Sequence, residues 1–375
     1  MILIIAFLYC VVRAKARAEI KTPKKVLVFQ TGKLGDAVCT TPMFCAIKRS
    51  YPACTVCVMG NKVNGEVLAN NENIDNYLVY TKKVFSTIQF LRKEKIDFAC
   101  LITPNFLALA ILYLSKIPTI AIPKIEGGWS PYETKSYRAL SRLVIVKPHR
   151  MGHYAPHEYL RLLEPLGIYT EDTTKHLAYS SGAGKKIEEF FVAQDIDLER
   201  DFLVCISPSA GNRIKSWGGK NFARVIKYVC AEYGAKIILI GAGKDKEDME
   251  ETLAALDKNL PIINTFDKIS IDELKALMSY MKLFISVDTG PIYIAEAFDV
   301  PTIDITGPID ENEQPPIGKK HKVVVPNYRK KPELHVMNAR RYNVDEVKKQ
   351  LDSITVEMVL RAIDELMLVI KQEKI

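Results

Sequence analysis

Short runs of strand-forming residues alternate with segments of helical period along almost the whole chain, and no other feature narrows its fold so far. The runs are KVLVFQ, TVCVMG, YLVY, DFACLIT and TIAIP in the first half, then FLVCISPS, KIILIGAG, LFISVD and TIDIT in the second. Between them, NFARVIKYVCAEYG sets Phe222, Val225, Ile226, Val229 and Cys230 at i, i+3, i+4, i+7 and i+8, one face of a helix. Strand and helix in alternation build parallel sheets with helices packed on both sides, so the expected class is α/β.

The series restarts midway. With 375 residues, 48% of them hydrophobic, the chain is long enough for two ordinary cores. HEYLRLLEPLGI reads as a helix closed by Gly167, and the polar stretch from Tyr169 to Lys185 reads as a connection, with the boundary near residue 176. The expected organisation is an apolar and basic segment over 1–23, a Rossmann-like domain over 24–175, a second over 176–340 and a helical segment over 341–375. The last helix, TVEMVLRAIDELMLVI, carries Val356, Val359, Leu360, Ile363 and Ile370 on one face and suits either domain. Two doubly wound domains facing a central cleft would bind ligands at the carboxyl ends of their strands.

Composition removes several classes. Charged residues are 26% of the chain, with no low-complexity tract and no repeat of fixed period, which excludes disorder and a solenoid. The eight cysteines mostly sit inside apolar runs, as buried hydrophobes in a reducing compartment do. Cys54 and Cys57 form a lone CxxC in a strand run, His153 and His157 flank Pro156 without a third ligand, and the DID at 195–197 precedes a strand instead of ending one. No metal is expected from any of these.

The first twelve residues are apolar and a basic segment follows. That run is too short to span a bilayer, which takes about 20 residues, and its charges lie on the wrong side for a secretory signal. Two readings remain. Residues 1–25 are a shallow anchor whose Arg13, Lys15, Arg17, Lys21, Lys24 and Lys25 meet anionic headgroups on the cytoplasmic side, or they are a first strand or tail with a solvated charge run. The net charge of +8 favours acidic partners, among which nucleic acid is not expected.

Four loops carry the chemistry. QTGKLGDAVCTTP follows the first strand but matches neither GxxxxGK[ST] nor GxGxxG. It places Asp36 in the first turn of a helix, either as a carboxylate favoured by the helix dipole or as a general base able to take a proton from a hydroxyl nucleophile. SPSAGNRIKSW offers the small residues Ser209, Ala210 and Gly211, whose amides can approach an anion, and the cations Arg213 and Lys215, which can neutralise a diphosphate or remain on the surface. In LFISVDTGPIYIAEA, a strand ends in Asp288, Thr289 and Gly290, and Pro291 opens a helix whose N-terminus is an anion site or a plain strand-to-helix turn. LIGAGKDKEDME ends a strand at Gly241 and Gly243; its Asp245, Glu247 and Asp248 suit a ribose hydroxyl or a solvated helix face.

The order and spacing of KVLVFQTGKLGDAVCTTPMFCAIKRSYP, ISPSAGNRIKSWGGKNFARVIKYV, ILIGAGKD and LFISVDTGPIYIAEAFDVPTIDITGP resembles the heptosyltransferases, glycosyltransferase family nine, from residue 24 to about 315. The resemblance implies the GT-B architecture, with the acceptor bound mainly by the first Rossmann-like domain and the sugar nucleotide mainly by the second. It implies inverting, metal-independent transfer from a nucleotide-activated sugar, commonly ADP-heptose, to a growing lipopolysaccharide core or related acidic, lipid-linked glycan. By position, the family's catalytic aspartate falls on Asp36, its phosphate-contacting lysine on Lys215, and its donor-binding DTG on Asp288, Thr289 and Gly290, beside Gly241. Tyr293 stands where family members usually have histidine, and tyrosine is neutral at pH 7 with one hydrogen bond to donate. Lys33, Gly35 and Arg150 are the expected acceptor contacts; Lys33 and Arg150 belong with Arg138, Arg142, Lys147 and His149 to a basic set that suits a phosphorylated or acidic glycolipid or forms a solvated rim. The expected enzyme is cytoplasmic and peripheral on the inner face of a bacterial inner membrane. Its rivals are a sugar-nucleotide epimerase or hydrolase on the same scaffold and a non-catalytic nucleotide-sugar binder.

Overall fold

The structure, a computed structural model, describes residue 20, residues 22–81 and residues 83–373. The chain divides into two compact units: the first runs to His176 and includes Val336–Asn338, and the second comprises Leu177–His335 and the chain from Ala339 onward.

The first unit is built on six strands: β1 (Lys25–Gln30), β2 (Thr55–Gly60), β3 (Asn76–Val79), β4 (Phe98–Leu101), β5 (Thr119–Glu126) and β6 (Ile145–Arg150). They lie in the order β3-β2-β1-β4-β5-β6 and every pairing is parallel. Side chains alternate across a strand, so β1 and β2 send Leu27, Phe29, Cys57 and Met59 into one apolar cluster with helices Val84–Glu94 and Phe106–Leu114. Val26, Val28, Val56 and Val58, fully buried as well, face the other way. Both faces are therefore covered, as a parallel sheet requires.

The second unit repeats the plan with β7 (Phe202–Ser207), β8 (Ala235–Leu239), β9 (Ile262–Asn264), β10 (Leu283–Val287), β11 (Thr302–Ile305) and β12 (His321–Val324). Its order is β12-β11-β10-β7-β8-β9, the same sequence of connections as in the first sheet. In both sheets the order reverses between two central neighbours, β1 and β4, then β7 and β10. Loops leaving the carboxyl ends of such a pair diverge and open a crevice, the usual ligand position in doubly wound sheets.

Helix Val356–Glu373 packs with the second unit: Val356, Val359, Ile363, Leu366 and Met367 are buried in the cluster formed by β7, β8, β10 and β11. Trp217 Nε1 donates to Ile354 O at 2.8 Å, and Tyr228 and Tyr233 both donate to Asp364, which fixes this helix against helix Gly219–Tyr233.

The proposed anchor falls mostly on residues 1–19 and 21, outside the described residues. Of its basic residues, Lys25 is described with its ammonium 3.0 Å from Glu94, so this cation is paired within the fold. Among the described residues no helix is long and apolar enough to cross a membrane. Cys54 precedes β2 instead of lying in it, and none of the seven described cysteines forms a disulfide among the described residues; six of them are buried.

Candidate functional site

In the first unit the polar residues gather where β1 ends. Gln30 is fully buried, and its side chain accepts from Gly32 N at 2.8 Å and donates to Asp36 O at 3.2 Å, closing the turn on itself. Asn61, the N-cap of the helix Lys62–Leu68 that follows β2, and Asn64 within that helix both donate to Gly32 O, at 3.0 and 3.1 Å. A Cβ at Gly32 would lie 2.5 Å from Asp36 Oδ2 and 2.9 Å from Gln30 Oε1, so only glycine fits here. Asp36 is half-buried and its Oδ2 accepts from Lys33 N at 2.7 Å, the N-cap amide of helix Leu34–Val38. The first-turn role is thus present, and the carboxylate is held at the sheet's switch point. Of the expected acceptor contacts, Lys33 is exposed beside Asp36, whereas Gly35 is buried in the helix.

Arg150 sits elsewhere, at the end of the edge strand β6, paired to Glu158 with Nη2 2.6 Å from Oε1. Burial raises the pKa of Glu158, but the side-chain and backbone hydrogen bonds from Arg150 outweigh it and hold the carboxyl below its ordinary range. Lys147 is likewise paired, 2.6 Å from Glu164. Both cations have partners within the unit, so the basic set is an internally compensated edge as well as a charged surface.

In the second unit Lys215 and Asp288 meet. Lys215 follows β7 and Asp288 follows β10, so the switch point brings together two residues 73 positions apart, with Nζ 2.7 Å from Oδ2 and a further bond to Asp288 O. Tyr293, buried in helix Gly290–Ala297, donates to Asp288 Oδ1 at 2.8 Å. The carboxylate is therefore gripped on one oxygen by a cation and on the other by a phenol. Gly290, not Pro291, is the first residue of that helix, and Thr289 is its N-cap, so the helix start faces the same crevice end as Lys215.

The loop that carries Lys215 is fixed from outside. Arg213 pairs with Glu247 at 2.6 Å, Ser216 donates to Asp248 at 2.6 Å, and Gly219 N donates to Glu251 at 2.6 Å. The acidic helix Lys246–Ala254 is thus a clamp for this loop, and Glu247 and Asp248 are engaged there. Burial pushes the Asp248 carboxyl above its ordinary pKa despite the Ser216 bond. Asp245 accepts from Ala242 N at 3.0 Å. Ser209 and Ala210 are buried, Gly211 is exposed with open space where a Cβ would stand, and Gly241 lies against Phe266, 3.1 Å from its would-be Cβ.

Sequence reasoning passed over Asp304. It lies in β11 opposite Ser286 of β10, is 1% exposed, and its Oδ1 has no hydrogen-bond partner among the described residues, nor has Ser286 Oγ. Burial, with the nearby Asp288 charge, holds its pKa well above the ordinary carboxylate range. The signal available was a carboxylate in the middle of the apolar run TIDIT. Also missed was the group Asp310, Glu313 and His335, whose donor atoms lie within 4.8 Å of one another. His335 Nδ1 is 3.2 Å from Glu313 and 3.5 Å from Asp310; the Glu313 hydrogen bond raises its pKa, which suits an imidazolium between two carboxylates.

Two parallel sheets of Rossmann order, each with its polar residues gathered at the switch point, define an α/β protein of the doubly wound class, built to bind ligands at the carboxyl ends of its strands, and comparison with known proteins narrows it. The sequence profile of glycosyltransferase family 9 (heptosyltransferase) matches residues 85–342. Lipopolysaccharide heptosyltransferase 3 of Escherichia coli (strain K12) is 26% identical over 348 residues, 89% of this chain and 95% of that protein. Among solved structures, the glycosyl transferase family 9 protein from Veillonella parvula DSM 2008 superposes with a TM-score of 0.75 at 19% identity, covering 94% of this chain and 99% of that one. The E. coli ADP-heptose LPS heptosyltransferase II does so with a TM-score of 0.72 at 19% identity, covering 94% and 100%. The fold is of the GT-B type. The chain belongs to glycosyltransferase family 9, the heptosyltransferases, and is a glycosyltransferase.

Proposed function

We propose that this enzyme transfers a heptose-like sugar from a nucleotide-diphosphate sugar, ADP-heptose-like, to a lipopolysaccharide-core or related acidic glycolipid acceptor, with inversion and without a metal. In this scheme the acceptor hydroxyl attacks the anomeric carbon, Asp36 takes its proton, and the diphosphate leaves with the charge that Lys215 and the helix N-terminus at Thr289 and Gly290 neutralise. Ser209, Ala210, Gly211 and Gly241 line the approach to the donor, and Tyr293 positions Asp288. Lys33, exposed beside Asp36, meets the acceptor; Arg150, committed to Glu158 at the sheet edge, would reach only a more distant part of it. The proposed setting is the cytoplasmic face of a bacterial inner membrane.

The observation that carries this reading is the Lys215–Asp288–Tyr293 constellation at the switch point of the second sheet. A diphosphate is a stronger partner for Lys215 than the single carboxylate that holds it here, so the donor would take over the ammonium group and leave Asp288 to the Tyr293 phenol and the donor's hydroxyls. The matching test is a transfer assay with ADP-, UDP- and GDP-sugars and a heptosylated core acceptor, read by mass spectrometry, with and without EDTA. Transfer from ADP-heptose that survives EDTA supports the scheme. Release of free sugar or a new epimer without acceptor overturns it.

A further inference from the structure

The loop that leaves β12 forms a second polar site, apart from the residues assigned to the donor. A cavity of about 680 Å³ in the second unit is lined by Lys330, Lys331, Glu333, Arg341, Tyr342, Asn343 and Glu346. Its walls are held from several directions. Glu333 N and Leu334 N donate to Pro308 O at 2.9 and 3.0 Å, and Asp310 N donates to Leu334 O at 3.0 Å, which fastens this segment to the loop after β11. On the other side Gln350 Nε2 donates to Lys331 O at 3.0 Å, and Tyr328 N donates to Ser353 Oγ at 3.0 Å, which fastens it to helix Val344–Asp352.

The charges are not balanced in the same way. Glu333 accepts from Asn343 N at 2.8 Å, and Glu346 accepts from Lys349 at 2.9 Å and from Tyr328 OH at 3.0 Å, so both acids are occupied by the scaffold. Neither Lys330 nor Lys331 makes a side-chain hydrogen bond or ion pair among the described residues. Two adjacent, exposed ammonium groups therefore line an open cavity whose walls are held by the scaffold, with the neighbouring carboxylates already committed and the start of helix Val344–Asp352 capped by the Asn343 side chain. Such a pair of cations favours a compact dianion, whose oxygens accept several charge-assisted hydrogen bonds at once.

We propose that this cavity is an oxyanion subsite that takes a phosphate ester borne by the acceptor glycan, separate from the site for the donor diphosphate. The proposal rests on the acceptor class proposed above for the source of the phosphate, while the subsite itself rests on the cavity and its charges.

The test is calorimetric titration of methyl phosphate, at constant ionic strength, into the wild-type chain, a Lys330→Gln/Lys331→Gln double variant, the Lys330→Arg/Lys331→Arg double variant and Lys215→Met. Both lysines of the pair are exposed, so their variants are expected to fold, and a melting curve verifies it. Binding is expected to weaken at least roughly tenfold in the glutamine variant, to persist in the arginine variant and to persist in Lys215→Met. Binding within about twofold of wild type in the glutamine variant, or its complete loss in Lys215→Met, overturns the subsite. A parallel transfer assay compares phosphorylated with dephosphorylated acceptor: the glutamine variant is expected to raise KM only for the former. Vesicles of phosphatidylglycerol are the remaining arm, and loss of vesicle binding in the glutamine variant with an unchanged KM for phosphorylated acceptor overturns the glycan as its source. Should no chain show transfer while methyl phosphate binding behaves as expected, the subsite stands and the transfer reading fails.

Discussion

The substitution Asp36→Asn keeps a side-chain oxygen that can accept the Lys33 N–H but removes the capacity to take a proton. If Asp36 is the base, kcat falls by about 10²- to 10⁴-fold in Asp36→Asn while stability changes by less than about 1 kcal/mol. Asp36→Ala is expected to lose both. A melting curve beside a turnover assay separates the two roles that the sequence left open, and equal turnover in Asp36→Asn removes the base assignment. Asp304 gives a second residue-scale expectation. Its folded-state pKa is raised by burial, so the folded chain binds that proton more tightly than the unfolded one. Stability is therefore lost as pH rises from the unfolded value, about 3.9, toward the folded one. Asp304→Asn removes this loss: its melting temperature is expected to exceed that of wild type at pH 7.5, with the gap closing toward pH 4. At this scale the sequence showed which residues carry charge but not which charges meet. Lys215 and Asp288 were each legible as loop residues, but their contact depends on β7 and β10 lying side by side. Gln30, Asn61 and Asn64 gave no signal, because a buried amide that closes a turn looks like any other amide until the loops are placed.

Among elements, the long apolar strands were plain in the sequence and the edges were not. β6 contains Pro148, which cannot donate to a ladder and so argues against a strand; it is tolerated because β6 pairs only with β5. β9 has three residues and β12 has four, too short for a period to emerge. Both are the edge strands of the second sheet, where burial on two faces no longer demands a continuous apolar run. Helix Val356–Glu373 shows the opposite case: its apolar face was clear, yet only the structure gives it to the second unit. Ile363 is fully buried there, so Ile363→Ala is expected to destabilise that unit by about 2–5 kcal/mol, measured by denaturant unfolding. Helix Gly290–Ala297 yields a functional expectation. Tyr293→Phe removes the phenol's hydrogen bond to Asp288 Oδ1 and is expected to raise KM for the donor several-fold, by loss of a bond contributing about 1 kcal/mol, with a smaller change in kcat.

For the whole molecule, the two units share one strand order, yet their switch points hold opposite charges: a carboxylate, Asp36, in the first and an ammonium group, Lys215, against a carboxylate in the second. That asymmetry was readable from the four loop blocks, since the α/β alternation fixes which ends of the strands they occupy. Hydrogen exchange with and without ADP is expected to show protection concentrated in the loops after β7, β8 and β10, because a bound nucleotide diphosphate stabilises the unit that holds it. Protection centred instead on the loop after β1 would reverse the proposed assignment of donor and acceptor to the two units.

The outer margin of the first sheet has a consequence for the chain before it reaches its native state. An open strand invites pairing with another copy, and a parallel sheet assembles slowly enough for such encounters to matter. β6 carries Pro148, which offers no N–H to an incoming strand, and the charged side chains of Lys147 and Arg150 lie close by in the same strand. Replacing this proline with valine would thus be felt less in the finished fold than in the yield of refolding, as added light scattering at concentrations where the wild-type chain stays clear.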